Sequence, residues 1–150
     1  MRLTAKSEYG LLAMIRLASA CDGVPISARD ISVSQEIPAK FLEQLFVALR
    51  QAGLVTAVRG ARGGFVLARP PQSITVLDVV EALEGPLATT VCEKDRGLIC
   101  GRAGACAAAE VWNEATRAVR QVFESATLAQ LADAQDEIDA RPVADMASGE

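Results

Sequence analysis

Three cysteines are the residues whose types and spacing most invite chemistry. Cys92, Cys100 and Cys106 form a C-x7-C-x5-C run in a stretch punctuated by Gly97, Gly101 and Gly104, while Cys21 stands apart. MRLTAKSEYG does not have the charged-then-apolar layout of a secretory leader, so a cytoplasmic location is expected. Thiols there are kept reduced, which makes paired disulfides a poor explanation. Tetrahedral zinc usually takes a close C-x2–4-C pair with a fourth Cys or His, and the run has neither. Thiolates on one flexible loop, with glycines letting backbone N–H groups approach sulfur, suit an iron–sulfur cluster. The run is not a standard ferredoxin spacing, however. Spacing alone leaves open a cluster site, a metal-free thiol switch and scattered buried cysteines. Cys21 is expected to be a small core residue.

The sequence contains no histidine. That excludes histidine triads, histidine general bases and every metal site that needs imidazole. A cysteine enzyme such as a sulfur transferase would need a base beside its nucleophile, and none is convincing, so the chain is expected not to be an enzyme. With 51% hydrophobic and 23% charged residues among 150, it has the composition of a folded globular protein. No run approaches the 18 apolar residues of a membrane span. The net charge of −4 hides an asymmetry. Residues 1–70 carry nine Lys/Arg against five Asp/Glu, for +4, and residues 71–150 carry six against fourteen, for −8. Binding follows the local field rather than the total, so the basic half can face phosphate.

The elements that would position these residues follow from periodicity. From Lys6 to about Cys21, Tyr9, Leu11, Leu12, Ile15 and Leu17 recur at helical spacing, and Asp22-Gly23 stops the run. Ser27 with Asp30 three residues on gives a capping signal for a short second helix, with Ile26 placed to staple onto Ile31. Pro38 suits the first turn of a third helix, whose apolar face is Phe41, Leu42, Leu45, Phe46 and Leu49. The period then changes. Leu54–Val58 and Phe65–Ala68 predict two strands joined by the glycine-rich turn Arg59–Gly64, a β-hairpin. Ile74–Leu83 predicts a further helix, and a loop follows to residue 106. A long helix from Ala107 carries the stripe Val111, Trp112, Ala115, Val119, Val122 and Phe123, which needs a partner, most simply its own copy in a homodimer. Thr127 caps a last short helix, Leu128–Ala134, and Arg141–Glu150 is expected to fray. The fold class expected is mainly α with a small β-hairpin wing. It comprises a winged helix-turn-helix over 1–84, a loop over 85–106 and a long dimerisation helix with a short terminal helix over 107–140.

That order of elements points to double-stranded DNA as partner. The third helix would lie in the major groove with Lys40, Glu43, Gln44 and Arg50 facing the duplex, and Arg59 and Arg62 would reach phosphate or minor groove from the wing. The alternative is a merely solvated polar face. The arginines at the hairpin tip, which have no packing role, and the local positive charge favour DNA.

Four segments carry a more specific likeness: MRLTAKSEYG, IPAKFLEQLFVALRQAGLV, VRGARGGFVLA and ITVLDVVEALEG. In this order, from Met1 to about Leu131, the chain resembles the IscR/NsrR superfamily of bacterial winged-helix transcription regulators, many of which bind an iron–sulfur cluster. The resemblance implies a homodimer crossed by the long C-terminal helix, with one cluster per protomer on Cys92, Cys100 and Cys106. It implies DNA contacts at Lys40, Glu43, Gln44 and Arg59. Members with a histidine ligand carry it three residues after the last cysteine, where this chain has Ala109. Relatives of the NsrR kind use a carboxylate near the start of the other protomer's first helix, and Glu8 occupies that position. Glu110, Cys21, water or a small thiol are the alternatives. The missing histidine and this carboxylate lean towards a 4Fe–4S over a 2Fe–2S cluster. The function expected is operator binding switched by the cluster, in response to cluster supply, iron, redox state or nitric oxide. The alternative is a metal-free cysteine-thiol redox switch.

Overall fold

The computed structural model describes residues 3–20, 23–87 and 106–141. Cys21, Cys92, Cys100 and all but the first residue of the expected frayed tail lie outside the described residues. The elements run α1 (Ala5–Ala18), α2 (Ala28–Ser34), α3 (Ala39–Gln51), β1 (Val55–Val58), β2 (Gly64–Leu67), α4 (Val76–Glu84), α5 (Ala107–Ser125) and α6 (Leu128–Asp139), with a 3-10 turn at Pro71–Ser73. Among the described residues no helix is long and apolar enough to cross a membrane.

Local chemistry starts most of these helices. The Thr4 hydroxyl accepts from the Lys6 N–H at the head of α1, and the Ser27 hydroxyl accepts from Asp30 N–H at the head of α2. Pro38 stands one residue before α3, at its cap rather than inside its first turn. The turn between α2 and α3 is closed by Ile37 N–H donating back to the Ser32 carbonyl at 3.0 Å. Glu36 there adopts φ +54, a left-handed conformation that usually falls to glycine. Buried Ile37 follows it and packs with Ile31 in the core.

The wing is an antiparallel pair with register Val55↔Leu67 to Val58↔Gly64, each strand one residue from its sequence-based limits. Gly60, at φ +117, begins the tip turn, whose Gly63 N–H donates to the Gly60 carbonyl. A third short segment joins the sheet. Ile26 bridges Phe65, with Phe65 N–H to Ile26 O at 2.8 Å and Ile26 N–H to Phe65 O at 3.1 Å. Gly64 makes this approach feasible, because a Cβ there would stand 2.3 Å from the Ile26 carbonyl oxygen.

One core of Ala13, Met14, Leu17, Ile31, Leu42, Phe46, Leu49, Ile74, Val79 and Leu128, among others, unites α1, α3, α4 and α6. Thr75 and Thr127 form an isolated bridge, so α4 and α6 start side by side, each with a capping box (Thr75/Asp78 and Thr127/Gln130). The last helix extends to Asp139, beyond the Ala134 that its apolar pattern marks. The predicted stripe of α5 divides. Val119 and Phe123 pack on Val76, Leu77, Val80 and Leu87, whereas Val111, Trp112 and Val122 are 65%, 45% and 63% exposed.

Two carboxylates on the last turn of α4 fasten its neighbours. Glu84 Oε1 accepts from the Thr4 hydroxyl (2.6 Å), the Ser7 hydroxyl (2.6 Å) and the Thr4 N–H (3.0 Å) at the head of α1. Glu81 Oε1 accepts from Leu87 N–H (2.9 Å) and from Arg120 of α5 (2.6 Å). Burial pushes the Glu84 carboxyl up, but the Ser7 and Thr4 hydrogen bonds outweigh it and hold the group below its ordinary 4.5.

Two stability predictions follow from this packing. Gly64→Ala forces a methyl group into backbone, so its urea midpoint should fall by the equivalent of about 1–3 kcal/mol. Glu84→Gln should lose about 1–2 kcal/mol at pH 7. Because the fold lowers this pKa, the carboxylate's contribution is full above 4.5 and is lost as pH falls through the folded value. The gap between wild type and Glu84→Gln should therefore close in acid, measured by denaturation at stepped pH; a gap independent of pH would show that the charge is irrelevant.

Candidate DNA interface and cysteine site

The exposed side of α3 is set by its buried side. Leu42, Leu45, Phe46 and Leu49 face the core, which leaves Lys40, Glu43, Gln44, Val47 and Gln51 on one outward face at helical spacing. Lys40, Glu43 and Gln44 thus stand where the sequence puts them. Arg50 is exposed beside this face. With Val47, Gln51, Val55, Thr56 and Ala57 it lines a shallow groove of about 510 Å³ between α3 and β1. Arg59 and Arg62 are exposed at the hairpin turn.

Two aromatic contacts mount this unit. Phe46 of α3 stacks on Phe65 of β2 with ring centroids 4.0 Å apart and planes at 6°. Tyr9 of α1 meets Phe41 of α3 edge-on at 5.6 Å and 80°. Such pairs contribute about 0.5–1.5 kcal/mol beyond the area that they bury. They fix the outward face of α3 relative to the wing tip and to the first turns of α1. The electrostatics suit a polyanion. Among the described residues the ion pairs involve Arg69, Arg117 and Arg120, and Lys40, Arg50, Arg59 and Arg62 enter none of them. Cations without a protein counter-ion can neutralise phosphate at little cost.

Of the three predicted thiol ligands, Cys106 alone falls within the described residues. It is partly buried and forms the cap position of α5, without a side-chain capping bond. Cys106 thus marks the N-terminal end of α5, the end of a helix at which negative charge is favoured. Ala109 occupies the first turn of α5, as does exposed Glu110. Glu8 is exposed on the first turn of α1, next to Ser7 in the Glu84 clamp. Among the described residues no group of three His, Cys, Asp or Glu comes together to hold a metal ion. Sequence reasoning missed the Glu84–Thr4–Ser7 and Glu81–Arg120 contacts. They join residues up to 80 positions apart, and no local pattern announces them.

Comparison with known proteins agrees with this architecture. The Rrf2 profile, described as that of an iron-dependent transcriptional regulator, matches residues 3–134. The chain is 37% identical over 136 residues to the HTH-type transcriptional regulator CymR of Bacillus subtilis, covering 91% of this chain and 93% of that protein. It is 35% identical over 136 residues to the HTH-type transcriptional regulator IscR of Yersinia pseudotuberculosis, covering 91% and 82%. Among solved structures it superposes on CymR of B. subtilis, described as the global cysteine regulator, with a TM-score of 0.73 and 36% identity over 89% of this chain and 97% of that one. IscR of T. potens gives 0.76 and 32% over 95% and 93%. Mainly helical with a two-stranded wing, and matched to regulators rather than to enzymes across nearly its whole length, the chain belongs to the Rrf2 family of winged-helix, DNA-binding transcriptional regulators.

Proposed function

We propose that this protein is a cytoplasmic, homodimeric transcription regulator whose operator affinity is switched by an iron–sulfur cluster, one per protomer. Cys92, Cys100 and Cys106 would be its thiolate ligands and Glu8 of the partner subunit the fourth. The observation that carries this reading is the way the fold holds both ends of the cysteine stretch. Leu87 is buried and bonded to Glu81, and Cys106 opens α5. Three thiols and no imidazole form a donor set suited to iron–sulfur iron. A bound cluster supplies a centre that reacts with oxidants or nitric oxide and that responds to iron and cluster supply. A carboxylate is a harder and weaker partner for such iron than thiolate, so Glu8 is the ligand most readily exchanged. This donor set leans towards 4Fe–4S over 2Fe–2S.

The chain's own residues would convert ligation into DNA affinity. Glu8 shares its helical turn with Ser7, bonded to Glu84, and precedes Tyr9, which rests on Phe41 of the reading helix. A change at Glu8 therefore bears directly on the mounting of α3, which is the differential interaction that a switch requires. Val111, Ala118 and Val122, all exposed, with half-buried Ala115, fall at i, i+7, i+11 and i+4 on α5 and give a second copy an apolar seam. A metal-free thiol switch is the second reading. It is favoured by the likeness to a protein described as a global cysteine regulator and by the partly buried Cys106 thiol. Anaerobic purification with iron and sulfide analysis separates them: colourless, iron-free protein that still responds to oxidants would establish the thiol switch.

On the DNA side, Arg59→Ala should weaken operator binding and lower the slope of log K against log salt by about one. Glu43→Ala should instead change the preferred base, since a glutamate accepts from cytosine N4. If both variants bind as wild type does, with the same preference, the interface is misassigned.

On the cluster side, Cys92→Ala, Cys100→Ala and Cys106→Ala should each abolish a stable cluster. Glu8→Ala should keep one with an altered absorption spectrum, faster loss in oxygen and a blunted DNA response. Should Glu110→Ala change the spectrum while Glu8→Ala does not, the ligand comes from the long helix of the same protomer, and the inter-subunit mechanism fails.

A further inference from the structure

The outward face of α3 carries one apolar residue among polar ones. Val47 is 55% exposed and lies seven residues after Lys40, which centres it between Glu43 and Gln44 on one side and Gln51 on the next turn. The core does not need it, since Leu42, Leu45, Phe46 and Leu49 already fill the buried side. Helix propensity does not favour it either, because a β-branched side chain loses rotamer freedom on a helix. Its isopropyl group opens onto the groove that Arg50, Gln51, Thr56 and Ala57 line between α3 and the wing. The residue is thus held in water, in the middle of the surface that carries the candidate base-reading side chains.

In the major groove the 5-methyl group of thymine is the one bulky apolar group on the base edges, and it is the feature that an apolar side chain recognises. Glu43 suits cytosine N4 and Gln44 suits adenine, and neither can sense a methyl group. We propose that Val47 is a specificity residue that packs against a thymine methyl group of the operator, between the bases read by Glu43 and Gln44. This rests on α3 being the reading helix. It adds a thymine to each half-site that hydrogen bonding alone would not select.

The test removes the methyl group from thymine and the two methyl groups of the Val47 side chain. Duplexes are selected by the wild-type protein from a random double-stranded pool, and each thymine of one half-site is then replaced in turn by 2′-deoxyuridine, which loses the methyl group and keeps every hydrogen-bonding group. At one thymine the replacement should weaken wild-type binding about three- to fivefold, the size of burying one methyl group. The same replacement should leave Val47→Ala unchanged, because the contact is already gone. Val47→Ala alters an exposed position and raises helix propensity, so it should fold and melt as wild type does. The proposal is overturned if no deoxyuridine position weakens wild type, or if Val47→Ala loses the same factor at that position. Glu43→Ala, run against the same pool, tells the two failures apart. A changed base preference there with no methyl effect sinks Val47 alone, and an unchanged preference sinks the reading helix with it.

Discussion

Glu81 and Glu84 stand three residues apart on the closing turn of α4, and where their oxygens go decides how the rest of the chain is joined. Glu84 binds the head of α1 through Thr4 and Ser7, while Glu81 binds the outgoing chain at Leu87 and α5 at Arg120. The Glu84 contact is a set of hydrogen bonds to neutral donors, and the Glu81–Arg120 contact is a half-buried ion pair. In each carboxylate Oε1 receives more than one donor, and Ser7 is buried, so these bonds are stronger and more directional than exposed salt bridges. One helical turn consequently holds the start of α1, the approach to the cysteine stretch and the long helix in fixed relation.

The apolar side of α4 serves the same end. Val79 and Ile74, just before the helix, belong to the core under the reading helix, whereas Val76, Leu77 and Val80 belong to the second cluster with Val119 and Phe123 of α5. Close-packed interiors transmit displacement rather than absorb it. Contacts of α4 thus run from α5 and Leu87 on one side to α1 and α3 on the other. The Tyr9–Phe41 and Phe46–Phe65 pairs carry that relation to the outward face of α3 and to the wing.

The division of charge follows this mechanical division. The basic half of the sequence forms α1 to the wing, with Lys40, Arg50, Arg59 and Arg62 outside the ion pairs of the described residues, and the acidic half supplies the carboxylates that knit α4 to its neighbours. A protein with an overall negative charge can thus present a locally positive face to phosphate. Among the described residues the other acids of that half sit on α5 and α6, while Glu43 of the basic half stays on the outward face of α3.

Much of this was legible in one dimension. α3, the wing hairpin and the caps at Ser27 and Thr127 rest on interactions within a few residues, so spacing and residue type suffice to announce them. The absence of histidine bounded the chemistry, and the three-cysteine spacing kept a cluster among its options, for the same local reason. Long-range partners decided the rest. The bridge at Ile26 needs Phe65, 39 positions away, and a single bridged residue leaves no alternation to detect. The end of α6, Gln135-Asp136-Glu137-Ile138-Asp139, has a single apolar residue and so no apolar period to mark a helix. The stripe of α5 could be seen but not divided, because helical phase shows that residues are apolar without showing which neighbour covers them. Glu81 and Glu84 look like ordinary solvated acids until Arg120, Leu87, Thr4 and Ser7 are brought to them. A carboxylate's role is set by the donors that folding delivers, and only the tertiary structure contains those.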